Sequence, residues 1–172
     1  WQVAEMASER LVPETISHLN NSNMKNNRSK SIEDAILASF KAVEQEYLNK
    51  VRDSYRLGFG EVAKVGACAL LAVRNKDDLY LANCGDCRAV LGSKRSDNEA
   101  KNTKDHISSR LTRDHNARIP LELLTLQKEH PGEEDVVVCK NPHACYVKGR
   151  LQLTRALGDA YLKYAEFNAP AG

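Results

Sequence analysis

The sequence predicts an α+β fold with largely antiparallel sheets and helices on the outside. Three observations lead there. Two stretches with helical spacing open the chain, within residues 1–51. Short apolar runs closed off by Gly, Asn and Asp then follow one another in a meander, not in strict alternation with helices. The length of 172 residues suits one domain, spanning 1–172, that can bury most of its apolar surface.

Taken in order, residues 1 to about 20 form a predicted helix, with Val3, Met6, Ala7, Leu11, Ile16 and Leu19 at roughly helical spacing and Pro13 marking a break or restart. The polar stretch Asn20 to Lys30 reads as a loop. A second helix starts near Ser31, where Ser31 and Asp34 have the spacing of a capping box. Its apolar face is Ile32, Ala35, Ile36, Phe40, Val43, Tyr47 and Val51, a stripe suited to packing on a sheet. Asp53 to Glu61 connects into that sheet.

The centre of the chain is Gly66 to Gly92, which reads as three consecutive strands. Ala67 to Arg74 is the first, Asn75 to Asp78 a turn, Leu79 to Asn83 the second, Gly85-Asp86 a tight turn, and Arg88 to Leu91 the third. This places Asp86 at a hairpin tip, where a carboxylate points away from the core. Ser93 to Ser109 has almost no apolar residues and reads as a surface loop. Arg110 to Thr112 is a short strand. Pro120 opens a helix to about Lys128, because its missing N–H is one that a first turn leaves unpaired anyway. Asp135 to Lys140, Tyr146-Val147 and Leu151 to Thr154 read as strands, Gly158-Asp159 as a turn, and Tyr161 to Glu166 as a short helix.

Lys plus Arg number 25 and Asp plus Glu 23, for a net charge of +2. That balance gives no footprint for nucleic acid or a membrane surface. No apolar run approaches the roughly 20 residues that span a bilayer. The chain opens on Trp1 instead of Met, so an upstream piece is expected. The five cysteines sit mostly in apolar runs and read as reduced thiols of an intracellular protein.

Cys84-Gly-Asp-Cys87 is the sharpest local pattern, with the C-x-x-C spacing of a zinc knuckle or redox pair. Cys139 and Cys145 could complete a four-cysteine site, although their separation is wide for a zinc ribbon and the first pair straddles a hairpin. Plain thiols are the simpler reading. Asp114 and His115 are neighbours in an extended segment and point to opposite faces, which suits a structural turn better than a catalytic dyad. Asp159 reads as a turn or cap residue, and Arg150 and Arg155 as surface or ion-pairing residues. No phosphate loop, G-x-S-x-G or H-E-x-x-H occurs.

Several stretches, in order, resemble the metal-dependent type 2C family of protein serine/threonine phosphatases. Gly66-Ala-Cys with LYLANCGDCRAVLG (79–92) is similar to the family's central hairpin, LTRDHNAR (111–118) to its LT-x-DH segment, and VKGRLQLTRALGDAYLK (147–163) to its G-x-L-x-x-S/T-R-A-L-G-D signature. WQVAEMASERL (1–11) resembles the helix after the family's Asp-Gly-His-Gly-Gly motif. LQKEHPGEEDVVV (126–138) and AYLKYAEFN (160–168) look most like the pyruvate dehydrogenase phosphatase-like subgroup and its plant relatives, a resemblance that implies the mitochondrial matrix as an alternative to the cytoplasm.

The resemblance implies two packed, mainly antiparallel β-sheets flanked by helices, an α-β-β-α sandwich. It also implies a phosphoprotein substrate and Mg2+ or Mn2+ held by carboxylates and water. Asp86 corresponds to the family's Gly-Asp-Ser-Arg aspartate, which helps hold a third, weaker metal, and Cys87 replaces the serine. The family's principal metal and phosphate ligands would lie before Trp1 and beyond Gly172. The chain therefore reads as an inactive internal fragment of a phosphatase, with a pseudophosphatase or a four-cysteine zinc module as alternatives.

Overall fold

The computed structural model describes residues 2–22, 28–94 and 106–169. Two long helices come first, α1 (Gln2–Ser22) and α2 (Arg28–Arg56), followed by a 3-10 turn at Gly60–Lys64. Then come β1 (Gly66–Ala67), β2 (Ala69–Asn75), β3 (Asp78–Cys84), β4 (Val90–Lys94), β5 (His106–Arg110), α3 (Pro120–Glu129), β6 (Val137–Asn141), β7 (Ala144–Val147), β8 (Leu157–Gly158) and α4 (Ala160–Lys163). Among the described residues the strands form four two-stranded antiparallel sheets, β1–β8, β2–β3, β4–β5 and β6–β7. The arrangement is an incomplete α+β sandwich.

α1 runs through Pro13 without interruption. Pro13 is exposed, so the carbonyl that loses its helical partner can turn to water instead. Val3, Met6, Ala7 and Leu11 are buried, and the same face continues to Thr15. Ile16, expected in the stripe, lies one position off that face and is exposed. Thr15 donates to Ser39 Oγ at 2.9 Å, and Ser39 donates to the carbonyl of Ile36 at 2.7 Å, so the two helices meet through small, satisfied hydroxyls.

α2 starts at Arg28, so Ser31 lies inside the helix and is not its cap. The predicted stripe is buried, but against two partners where the sequence suggested a sheet alone. Ile32 and Ile36 pack on Leu71, Val73, Tyr80 and Ala82 of the β2–β3 hairpin. Val43, Tyr47, Leu48 and Val51 pack on α1, Ala63, Leu157, Ala160 and Phe167. Phe40 touches both clusters.

The β2–β3 hairpin has the predicted turn, with Asn75 opposite Asp78. The third strand differs from expectation. β4 pairs with β5 in the register Val90↔Arg110, not with β3. Gly85-Asp86 is thus a link between two hairpins and not a hairpin tip. β4 and β5 also claim residues 93–94 and 106–109, which read as loop, while the rest of that stretch, 95–105, lies outside the described residues. α3 opens on Pro120 as expected. Leu151 and Leu153 make isolated bridges to Val147 and Asn116 in place of a continuous strand.

β1 and β8 meet as Gly66↔Gly158 and Ala67↔Leu157. The contact is close: a Cβ on Gly66 would stand 2.0 Å from Asp159 Oδ2. Asp159 is at the N-cap of α4 with left-handed backbone, φ 48°, and its side chain makes no cap hydrogen bond. Burial pushes its carboxyl above the usual carboxylate range, with Lys163 pulling the other way. Glu44 of α2 accepts from the Gly158 N–H at 2.8 Å and from Lys163 Nζ at 2.5 Å, tying this junction to the helix pair.

Leu48→Ala, which empties a site that is 3% exposed, is expected to cost about 2–5 kcal/mol by denaturant unfolding. Gly66→Ala should destabilise as well, because its new methyl occupies the space of the Asp159 carboxylate, 2.0 Å from Oδ2, and must push it aside. Asp159→Gly tolerates the positive φ and removes that carboxylate, so the double variant Gly66→Ala/Asp159→Gly should lose less than the two single losses added together.

Candidate metal-binding loop and its scaffold

The residues that resemble a metal-binding segment lie on the link from β3 to β4. Gly85 is buried, with φ +105°, and a Cβ there would stand 2.3 Å from Cys68 Sγ. Only glycine meets both demands, and the turn it allows puts Asp86 at the surface. Cys68 donates its S–H to Asp86 Oδ1 at 3.4 Å. Burial pushes the Cys68 thiol up to about 11, which keeps that proton in place near neutral pH.

Residues 111–115 form the other wall. His115 N donates to the Gly85 carbonyl at 3.0 Å, and Gly85 N donates to His115 Nδ1 at 3.3 Å. Asn83 Nδ2 donates to the carbonyls of Gly85 at 2.9 Å and Arg113 at 3.0 Å. Thr112 Oγ1 accepts from Ala89 N at 2.9 Å and donates to the Cys87 carbonyl at 3.3 Å. Arg88 closes the link with a two-pronged contact to Asp114, Nε to Oδ1 at 3.1 Å and a terminal nitrogen to Oδ2 at 2.8 Å. Every residue from Gly85 to Ala89 except Asp86 therefore has a partner in 111–115.

Asp114 and His115 do not form a dyad. Asp114 holds Arg88 and also contacts Arg110 and Arg118. Hydrogen bonding from Arg88 holds its carboxyl below the usual range, with Arg110 and Arg118 adding to the effect. Burial, then Arg155, lowers the His115 pKa, so the ring is neutral at pH 7 and Nδ1 is free to accept from Gly85. Arg155 and His115 line the end of an open groove of about 800 Å3 between α2 and β3, which does not include Asp86. Arg150 lies over the Tyr161 ring at 5.7 Å. Glu122, buried and not singled out by its sequence context, accepts from Thr154 Oγ1 at 2.7 Å and pairs with Arg113 of the segment at 3.8 Å.

The cysteine expectation needs correction. Cys139 and Cys145 face each other across β6–β7 and are joined as a disulfide, while Cys68, Cys84 and Cys87 are free. Two of the four thiolates of the zinc alternative are thereby used up. Among the described residues no group of three or more His, Cys, Asp and Glu side chains could hold a metal ion. On the link, Asp86 is an exposed carboxylate and Asp114 is taken by arginines, so these residues offer one hard oxygen ligand of the kind Mg2+ or Mn2+ takes and do not make a whole centre.

Two outcomes test the scaffold. Asp114→Asn removes the charge that Arg88 grips and should cost about 1–3 kcal/mol of stability. His115 binds its proton less readily folded than unfolded, so its contribution is complete above about pH 6.5 and is lost as pH falls through the lower folded value. Denaturation midpoints measured across that window should decline towards acid. His115→Asn, which keeps an acceptor that does not titrate, should flatten the decline.

The model of the family described as protein phosphatase 2C matches residues 2–171. A probable protein phosphatase 2C 68 of Arabidopsis thaliana is 39% identical over 165 residues, covering 94% of this chain and 40% of the relative. A probable protein phosphatase 2C 43 of Oryza sativa subsp. japonica is 38% identical over 135 residues, covering 78% of this chain and 33% of the relative. The chain thus spans about two fifths or less of the length of these relatives. The family match runs over both the Asp86 link and the segment that braces it, and the chain belongs to the protein phosphatase 2C family.

Proposed function

We propose that the intact protein removes phosphate from phosphoserine and phosphothreonine of protein substrates in a reaction that depends on Mg2+ or Mn2+. We further propose that Asp86 supplies one ligand to a weaker metal of that centre, and that the 172-residue chain alone does not turn over. The observation that carries this reading is the Asp86 link. It is an exposed carboxylate on a segment whose other residues are all pinned by 111–115.

A bound divalent pair would supply a water of lowered pKa and neutralise charge on the phosphoryl oxygens. The chain's own part is positional. Gly85 sets the turn, Cys68 holds Oδ1 of Asp86, and the Arg88–Asp114 and His115–Gly85 contacts keep the link from swinging. A carboxylate held this way loses little freedom on meeting a cation, which favours a productive geometry. Residues 126–138 and 160–168 support placing the protein near the pyruvate dehydrogenase phosphatase-like subgroup. A pseudophosphatase, with this fold and no turnover, is the competing reading.

In the intact protein, activity on a phosphothreonine peptide should require added Mn2+ or Mg2+ and vanish with chelator. Asp86→Asn should lower it roughly 10- to 100-fold, with part of the loss recovered at higher metal concentration. Turnover indifferent to chelator would remove the metal from the proposal. No turnover at any metal concentration would favour the pseudophosphatase.

A further inference from the structure

We infer that Arg88, Arg110 and Arg118, gathered on the buried carboxylate of Asp114, form an anion subsite for a doubly charged phosphoryl group. Three guanidinium groups lie within 3.9 Å of one carboxylate. Three positive charges on one negative leave a surplus of two. Asp86 also acts on Arg88, and counting it fully still leaves the cluster positive.

The geometry adds that the surplus faces solvent. Asp114 is 3% exposed while the arginine side chains are 55%, 47% and 48% exposed, so the carboxylate sits beneath and the cations form the surface above it. Arg88 occupies both carboxylate oxygens with its fork, and Arg110 shares Oδ1. Arg118 stands 3.9 Å from Oδ2, beyond hydrogen-bond reach, so its donors are not committed to Asp114. Arg110 spends its Nε on the Thr112 carbonyl at 2.7 Å and one terminal nitrogen on Oδ1, and its side chain is still 47% exposed.

Like charges held this close repel, and a cluster of this kind is stabilised by an incoming anion. A tetrahedral dianion matches it better than a monoanion, because its oxygens can accept from more than one fork at once. The preference for phosphoryl over carboxylate rests on the phosphatase reading above. The charge and geometry do not. The phosphate could belong to a second phosphorylated residue of a substrate or be free inorganic phosphate.

The test uses the full-length protein with chelator present, so that no turnover intervenes. Arginine Nε–H signals are followed by NMR while inorganic phosphate, or acetate at matched ionic strength, is added. Phosphate should shift the three arginines saturably and acetate should not. Arg118→Gln, which breaks no hydrogen bond to Asp114, should weaken phosphate binding about fivefold or more, roughly the worth of one charge-assisted contact, and Arg110→Gln/Arg118→Gln more still. Arg118→Lys should recover part of the loss.

A doubly phosphorylated peptide binding about fivefold tighter than its singly phosphorylated form, with the gain lost in Arg118→Gln, assigns the subsite to substrate. Inorganic phosphate binding without that gain supports it as a site for free phosphate. Equal shifts with phosphate and acetate, or unchanged binding in both arginine variants, overturns it. Because binding is read without turnover, an inactive protein that binds phosphate loses only the phosphatase reading. An active protein that fails here loses only the subsite.

Discussion

The structure depends on α2 being buried along one stripe by two different partners. A helix of this length can satisfy its own backbone, but its stability comes from covering the apolar face. Here the N-terminal half of the stripe is covered by the β2–β3 hairpin and the C-terminal half by α1 and the β8–α4 junction, with Phe40 shared. An isolated two-stranded hairpin is marginal in water. The β2–β3 pair persists because Leu71, Tyr80 and Ala82 have Ile32 and Ile36 to lie on. The helix thus makes the hairpin viable, and the hairpin sets where the link to β4 begins.

From that start, the link is placed by exchange between two segments far apart in sequence. Residues 83–89 provide backbone groups, the Asn83 amide and one arginine; residues 111–115 answer with backbone groups, a threonine, an aspartate and a histidine. The Asp-His pair serves as a bracket, with one side chain taking a cation and the other a backbone N–H. Its chemistry is therefore structural even though both residue types are common in catalysis. The carboxylate at Asp86 inherits its position from this bracket, which is why a surface residue can be ordered without being buried.

Much of the architecture is legible in the sequence. The stripe of α2 is strictly periodic and every one of its members is buried or half-buried. Asn75 to Asp78 announces its turn by composition, and Pro120 its helix start by position. What stays hidden depends on partners far along the chain. Val90 and Leu91 read as the return arm of a hairpin, because apolar alternation says that a strand exists and not which strand it joins. The polar stretch His106–Arg110 conceals a strand for the opposite reason: β5 is exposed throughout, so its positions carry no apolar pattern. The Cys139–Cys145 bond needs the β6–β7 register, which places the two opposite each other. At the site, Asp86 and the Asp114-His115 pair are visible as motif residues. The roles of Cys68, Asn83 and Glu122 are not, since they come from geometry and not from spacing.

The pairing pattern bears on how the chain reaches this state. Three of the four strand pairs among the described residues join neighbours in sequence, and closing such short loops is fast and loses little entropy. The β1–β8 pair is different, because Gly66 must find Gly158 after the intervening hairpins have formed. Contacts between such distant partners set the pace of a folding reaction. The β2–β3 hairpin can therefore nucleate early on α2 and the other two hairpins locally, whereas the seam between β1 and β8 closes last and is the point at which a slow phase would originate.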